Sequence, residues 1–102
     1  MKQISLFLTA GFMLGTSMAV TAGEDLANSS GCLACHAIDA QAIGPAYKDV
    51  AAKYRDQDGA VEMLVQKVKS GGTGNWGSMP MPPNAHVKDE DIQSIVEWIL
   101  SL

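Results

Sequence analysis

Five consecutive residues carry the side chains with the clearest chemical potential, Cys32-Leu33-Ala34-Cys35-His36. This C-x-x-C-H spacing is the attachment signature of a c-type haem. In a helical segment, residues at i and i+3 lie on one face about a turn apart, so two thiols can form thioethers with the two vinyl groups of a porphyrin. The His36 imidazole stands on the same side and can reach the iron. The motif therefore predicts one haem c, bound through Cys32 and Cys35, with His36 as an iron ligand.

Three alternative roles for these cysteines fit the sequence less well. A dithiol redox centre is expected within a βαβ pattern, which the sequence does not show. A zinc site would have only the two cysteines with His36 and His86, which make a poor tetrahedral set. A simple disulfide without a redox role is the remaining alternative.

A haem held by one histidine needs a second axial ligand, and the segment from Thr73 to Asn84 offers two methionines. Its glycine and proline content excludes a helix or a central strand and predicts a stiff, extended loop. Met81 stands between Pro80 and Pro82 and is the expected ligand, with Met79 as the alternative. A thioether is soft and neutral and favours ferrous iron, which raises the reduction potential. Two further residues are not expected to bind iron, since Met63 lies on a predicted helix and His86 is a lone loop histidine.

Other side chains are predicted to orient these ligands or to hold the haem. The Pro45 carbonyl is the expected acceptor for the second ring nitrogen of His36, as metal-bound histidines usually have one. Asn84 is expected to hydrogen-bond the ligand sulfur, and Trp76 to donate its N–H to a haem propionate while its ring covers the haem. Lys67 and Lys69 are expected near the propionates. Each also has a structural alternative: a helix start for Pro45, a turn for Asn84, packing for Trp76 and solvation for the lysines.

Residues 1–22 have the pattern of an export signal. Lys2 is a short positive region, an apolar stretch follows, and small residues precede a predicted cleavage after Ala22, with Ala19 as the alternative. An uncleaved membrane anchor is disfavoured because Ser5, Thr9 and Gly11 interrupt a stretch that is shorter than the ~20 residues of a membrane span. The sequence thus predicts a cleaved secretory signal peptide followed by one domain, residues 23–102, in the periplasm.

The predicted mature domain is small and acidic. Removing 22 of 102 residues leaves 80, and the loss of Lys2 leaves six Lys and Arg against eleven Asp and Glu, a net charge of −5. Such a charge argues against nucleic acid and against stable contact with anionic membranes. A chain of this length usually needs a covalent or metal staple, and the haem would serve as one.

Apolar periodicity predicts four short helices and no second domain. They are expected at residues 24–30, 45–54, 60–70 and 89–102, with Gly71-Gly72 ending the third. The second predicted helix has Tyr47, Val50, Ala51 and Tyr54 on one face, and the last has an apolar stripe flanked by Trp98. The last helix is expected to pack against the first. The predicted fold class is all-α.

Taken together, these motifs resemble the small bacterial class I cytochromes c. The likeness covers the whole predicted mature chain, through Cys32 to Ile38, the Gly-Pro run from Gly44 to Ala51, the Trp-Gly pair and Pro80 to Asn84. It is strongest to short single-haem periplasmic carriers that donate electrons to nitrite reductase. The resemblance implies about four short helices wrapped around one covalently bound haem.

The resemblance also assigns roles. It implies that Cys32 and Cys35 carry the haem, that His36 and Met81 bind iron, and that Pro45 and Asn84 orient these two ligands. Trp76 would bond a propionate. Lys67 stands where relatives often place an arginine, and a lysine lacks the bidentate guanidinium fork.

The expected function is a soluble one-electron carrier rather than an enzyme. Four porphyrin nitrogens, His36 and Met81 would fill all six iron positions and leave none for a substrate. A monomer is expected, docking transiently at its exposed haem edge with redox partners such as nitrite reductase, a cytochrome oxidase or a peroxidase. The rival function is a haem enzyme or gas sensor in which Met81 dissociates.

Overall fold

The computed structural model describes Gly11 and residues 18–102, with side chains described from Ala22 onwards, so most of the predicted leader lies outside the described residues. Four α-helices and one 3-10 turn follow in order: α1 Met18–Ser29, the 3-10 turn Cys32–Ala34, α2 Tyr47–Tyr54, α3 Ala60–Ser70 and α4 Asp89–Leu100. Extended pairing in this range is limited to one isolated antiparallel bridge, between Gly72 and Met81. The prediction of an all-α fold is confirmed. No helix in the described range is long and apolar enough to cross a membrane.

Helix α4 is the central packing element, since it contacts α1, α2 and α3. Three acidic residues occupy its first turn, where their negative charges interact favourably with the positive end of the helix dipole. Its buried residues recur with helical spacing and form one face: Ile92, Ile95, Val96, Trp98 and Ile99. Trp98, predicted to flank the apolar stripe, is buried within it, and Leu100 is only partly buried.

Helix α1 packs against α4, as predicted, but it begins at Met18 instead of residue 24. The two alanines at 19 and 22 are strong helix formers and extend it backwards. In the uncleaved chain Glu24 and Asp25 therefore lie beyond the first turn of α1, and the predicted cleavage after Ala22 would return them to the start of the helix. Gly23 lets the two helices approach closely, because a Cβ there would lie 2.4 Å from the Trp98 Cβ.

Helix α2 begins at Tyr47, two residues later than predicted. Ala46 has a ψ of 140°, which is extended, so neither Ala46 nor Pro45 belongs to the helix. The predicted apolar face is confirmed, and its members are all buried: Tyr47, Val50, Ala51 and Tyr54. The Tyr47 ring meets Trp98 of α4 edge-on, with ring centroids 5.6 Å apart.

Helix α3 has the predicted bounds and ends at Gly71, whose φ of 72° is in the left-handed region. Its apolar stripe is only partly buried, because Leu64 and Val68 line a cavity between the helices. Lys69 does not reach this cavity, contrary to expectation. Its ammonium donates to the Val87 carbonyl at 2.8 Å and pairs with Asp89 at 2.8 Å, which joins the end of α3 to the start of α4.

Candidate haem site

One largely apolar cavity brings together residues from distant parts of the chain. Cys32, Cys35 and His36 line it, and so does Met81 from the loop between α3 and α4. Apolar side chains of the three packed helices complete the lining, among them Val50, Leu64, Val68, Ile95, Val96 and Ile99. The two predicted attachment residues and both predicted iron ligands thus share one cavity.

The C-x-x-C-H motif forms a tight turn instead of a regular α-helix. Gly31, with φ of 82°, precedes the 3-10 turn. The amides of Cys35 and His36 both donate to the Cys32 carbonyl, at 3.3 and 3.1 Å. The backbone therefore turns back on itself within the motif, and this turn brings the two thiols and the imidazole to the same cavity.

The His36 ring has defined neighbours at its edge and on one face. Its Nδ1 lies 2.8 Å from the Pro45 carbonyl oxygen, the contact that the sequence predicted. A carbonyl can only accept, so Nδ1 carries the proton and Nε2 keeps its lone pair for a metal. The Tyr47 ring stacks on the imidazole, with centroids 4.8 Å apart and planes 18° apart. Gly44 packs close beside it, since a Cβ there would lie 2.6 Å from the ring carbon Cε1.

The thiol chemistry does not fit a dithiol redox centre. Burial raises the pKa of Cys32 above its ordinary value, although a hydrogen bond from Tyr47 partly opposes this. Burial, with a further contribution from the nearby Cys32 thiol, also raises the pKa of the Tyr47 hydroxyl well above its usual range. Catalytic C-x-x-C pairs need a lowered thiol pKa.

The methionine loop folds back onto the end of α3. The Gly72 amide donates to the Met81 carbonyl at 3.0 Å, and the Met81 amide donates to the Gly72 carbonyl at 2.8 Å. Met81 is partly buried, whereas the side chain of Met79 is 65% exposed. The sequence did not predict this bridge. Gly71 was the available signal, because a Cβ there would collide with the Met81 carbonyl oxygen.

The contacts of the Asn84 side chain differ from the prediction. Its side-chain amide donates to the Val68 carbonyl at 3.1 Å and to the Pro82 carbonyl at 3.2 Å, not to the Met81 sulfur. Its backbone amide also contacts the carbonyls of Val68 and Lys69. Both side-chain hydrogens are used by backbone carbonyls of α3 and the loop. Asn84 therefore anchors the end of the methionine loop to α3.

Trp76 and Lys67 both line the cavity. Trp76 is 43% exposed and meets Tyr54 edge-on at 6.4 Å. Lys53, which the sequence did not single out, lies with its ammonium 4.6 Å above the Trp76 ring and 3.3 Å from the Asn75 carbonyl oxygen. Along the described part of the lining, Lys67 is the only lysine, and no Asp or Glu is present. The cavity can thus accept a ligand whose charged groups are anionic.

The donor set matches haem c better than it matches a simple metal ion. Among residues 18–102 no group of three or more His, Cys, Asp and Glu side chains is placed to hold a metal ion, as a zinc site requires. Two thiols at the attachment spacing, an imidazole with a free Nε2 and a thioether instead meet on an apolar surface. These are the groups that attach a haem and coordinate its iron.

Comparison with known proteins agrees with this chemistry. The family model for cytochrome c matches residues 20–102. Cytochrome c-551 of Allochromatium vinosum is 60% identical over 77 residues, which are 76% of this chain and 82% of that protein. Cytochrome c-551 of Pseudomonas aeruginosa is 48% identical, covering 99% of this chain and 98% of its own. The crystal structure of Nitrosomonas europaea cytochrome c552 superposes with a TM-score of 0.75 at 48% identity, covering 78% of this chain and 98% of that one.

The fold and the site define a small class I c-type cytochrome. The chain belongs to the cytochrome c family, and its cofactor is covalently bound haem c. The predictions of family, fold class and cofactor are confirmed.

The contact between Gly71 and the methionine loop can be tested with two glycine variants. Gly71 and Gly59 both have positive φ, 72° and 74°, but ψ is −167° at Gly71 and 13° at Gly59. A Cβ on Gly71 would also collide with the Met81 carbonyl oxygen, and one on Gly59 meets nothing. Gly59→Ala should lose about 1–2 kcal/mol of unfolding free energy from its left-handed backbone. Gly71→Ala should lose more, because its φ and ψ lie in a region essentially restricted to glycine and because overpacking costs a further ~1–3 kcal/mol. Denaturant unfolding measures the difference.

Amide hydrogen exchange shows whether the Gly71 substitution disturbs the methionine loop. Gly71→Ala should speed exchange at the Met81 amide, whereas Gly59→Ala should leave it unchanged. Equal stability losses with unchanged exchange in both variants would show that Gly71 does not hold the methionine loop.

Proposed function

We propose that Cys32 and Cys35 attach the haem through thioethers and that His36 and Met81 are its two axial iron ligands. The observation that carries this proposal is the meeting of these four residues on one apolar cavity, with His36 Nε2 free because Nδ1 contacts the Pro45 carbonyl. Met81 is preferred to Met79 because its backbone amide and its carbonyl both form hydrogen bonds with Gly72, while Met79 is largely exposed.

The side chains around the ligands would tune and orient the cofactor. The bond from Nδ1 to a carbonyl keeps the imidazole in one tautomer, and a neutral thioether favours ferrous iron. Lys67 and the Trp76 indole N–H are donors at the cavity that can bind propionate carboxylates. Pro45 would affect the haem only through the contact of its carbonyl with His36. Asn84 acts through the loop backbone instead of through the ligand sulfur.

The function that fits this site is one-electron transfer without substrate chemistry. When bound, the haem supplies the one-electron change between ferric and ferrous iron. The protein supplies two axial ligands and an apolar enclosure that excludes water from most of the site. No coordination position is left for a substrate, so the chain is proposed to act as a carrier and not as an enzyme.

Redox partners are proposed to dock at the exposed rim of the cavity. Two large apolar side chains there face solvent, Ile43 at 59% and Met79 at 65% exposure, and both line the cavity. Ala42, Pro80, Pro82 and Pro83 are exposed beside them. A small apolar rim suits a transient interface, which electron-transfer partners need in order to separate quickly. Nitrite reductase, a cytochrome oxidase or a peroxidase are the proposed classes of acceptor for a monomeric carrier.

Electron self-exchange tests both the carrier function and the rim, because it needs only two copies of this protein. Ile43→Asn should slow the exchange rate constant about five-fold, the equivalent of ~1 kcal/mol of apolar contact. The reduction potential should not change. NMR line broadening in mixtures of ferric and ferrous protein measures the rate, at an ionic strength that screens the net negative charge.

Ala52→Asn is the matched control, since Ala52 is exposed on α2 away from the cavity lining. It should leave self-exchange unchanged. Equal rates in the wild type and the Ile43 variant would contradict the proposed rim, and self-exchange too slow to detect in the wild type would contradict the carrier.

We also propose that residues 1–22 direct the chain to the periplasm and are removed there. A charged start, a short apolar stretch and small residues before Gly23 support this. The whole chain, expressed in a bacterium that matures c-type cytochromes, should be recovered from the periplasm with Gly23 as its first residue. Mass spectrometry of the intact protein gives the answer. A haem-bearing protein that keeps Met1 would contradict cleavage, and one that begins at Val20 would place the cleavage after Ala19.

A further inference from the structure

The His36 imidazole is held at two points that do not by themselves fix its plane. Its Cγ is bonded to the side chain, and its Nδ1 donates to the Pro45 carbonyl at 2.8 Å. Hydrogen bonds tolerate angular deviations of about 30° with little loss of strength. The ring can therefore rotate through a similar angle about its Cβ–Cγ bond unless a further contact opposes the motion.

Tyr47 provides that further contact. Its ring lies nearly parallel to the imidazole, 18° from it, with centroids 4.8 Å apart. Gly44 lies beside the same ring, and a Cβ there would come within 2.6 to 3.1 Å of three ring atoms. A tilted imidazole would separate from Tyr47 or collide with Gly44.

Tyr47 is itself buried and packed between two parts of the fold, so it can act as a reference plane. It is 4% exposed, its ring meets Trp98 of α4 edge-on at 5.6 Å, and its backbone amide donates to the Ala37 carbonyl at 2.9 Å. The ring is thus fixed by α4 behind it and by the C-x-x-C-H turn beside it.

We infer that Tyr47 is a positioning residue, which sets the plane of the His36 imidazole through its parallel stack. This rests on the proposed role of His36 as an iron ligand. In ferric haem the orientations of the axial ligands would decide how the unpaired electron is distributed over the porphyrin. By holding the His36 plane, the stack would contribute to that distribution together with Met81.

The first test uses the unaltered holoprotein. In the diamagnetic ferrous state, NMR should show nuclear Overhauser contacts between Tyr47 and His36 ring protons. The His36 signals should themselves be shifted strongly upfield by the haem ring current. Upfield-shifted His36 signals without contacts to Tyr47 would overturn the inference and leave the ligation intact. His36 signals without the upfield shift would overturn the ligation first.

The second test compares two substitutions at Tyr47. Tyr47→Phe keeps the planar ring and removes only the hydroxyl, so the four ferric haem-methyl resonances should keep their order and spread. Tyr47→Leu keeps an apolar side chain without a plane, so the spread of these resonances should change. Ile92→Val is the control for stability, because Ile92 is fully buried but does not line the cavity.

A merely structural role would give a different result. The Leu and Ile92 variants would then both unfold more easily, and both would keep the wild-type haem-methyl pattern. That outcome overturns the inference. If Tyr47→Leu yields no holoprotein, the nuclear Overhauser contacts between Tyr47 and His36 in the ferrous wild type alone decide whether the inference holds.

Discussion

The packing of α4 against the other three helices is the constraint on which the site depends. His36 follows a tight turn near the start of the domain, and Met81 lies in a loop just before α4. Trp98 touches α1 at Gly23 and Tyr47 at the start of α2, so one buried side chain links both helices that flank the C-x-x-C-H turn. A second cluster of Val87, Ile92 and Val96 holds α3 and the end of the methionine loop. Without α4 the cysteine turn and the methionine loop would have no common support.

Backbone groups, more than side chains, hold the two proposed ligands. The Pro45 carbonyl fixes the His36 tautomer, and the Gly72 backbone brackets Met81 with two hydrogen bonds. Asn84 adds an amide that bonds only backbone carbonyls. The exposed Ile43 and Met79 form part of the rim proposed for docking a partner.

Much of this could be predicted from the sequence, because several residues have few alternative uses. C-x-x-C-H predicted the cofactor, apolar periodicity predicted the last two helices, and Pro45 was the correct acceptor for His36. The long-range contacts could not be predicted. Nothing local shows that the Gly72 backbone pairs with Met81, that Asn84 turns toward α3, or that Tyr47 stacks on His36. Each of these depends on where α4 brings distant segments. The helix predicted from residue 24 was that of the cleaved chain, and in the uncleaved chain α1 continues upstream to Met18.

Visible spectroscopy of the holoprotein tests the central claim, that His36 and Met81 close both faces of the haem. The wild type should be low-spin, with the weak sulfur-to-iron charge-transfer band at the red edge of the spectrum, and its ferrous form should not bind carbon monoxide. Met81→Ala should lose the band and bind carbon monoxide, whereas Met79→Ala should keep the band. Loss of the band only in the Met79 variant would make Met79 the ligand. A high-spin wild type that binds carbon monoxide readily would contradict the carrier and favour a haem enzyme or gas sensor.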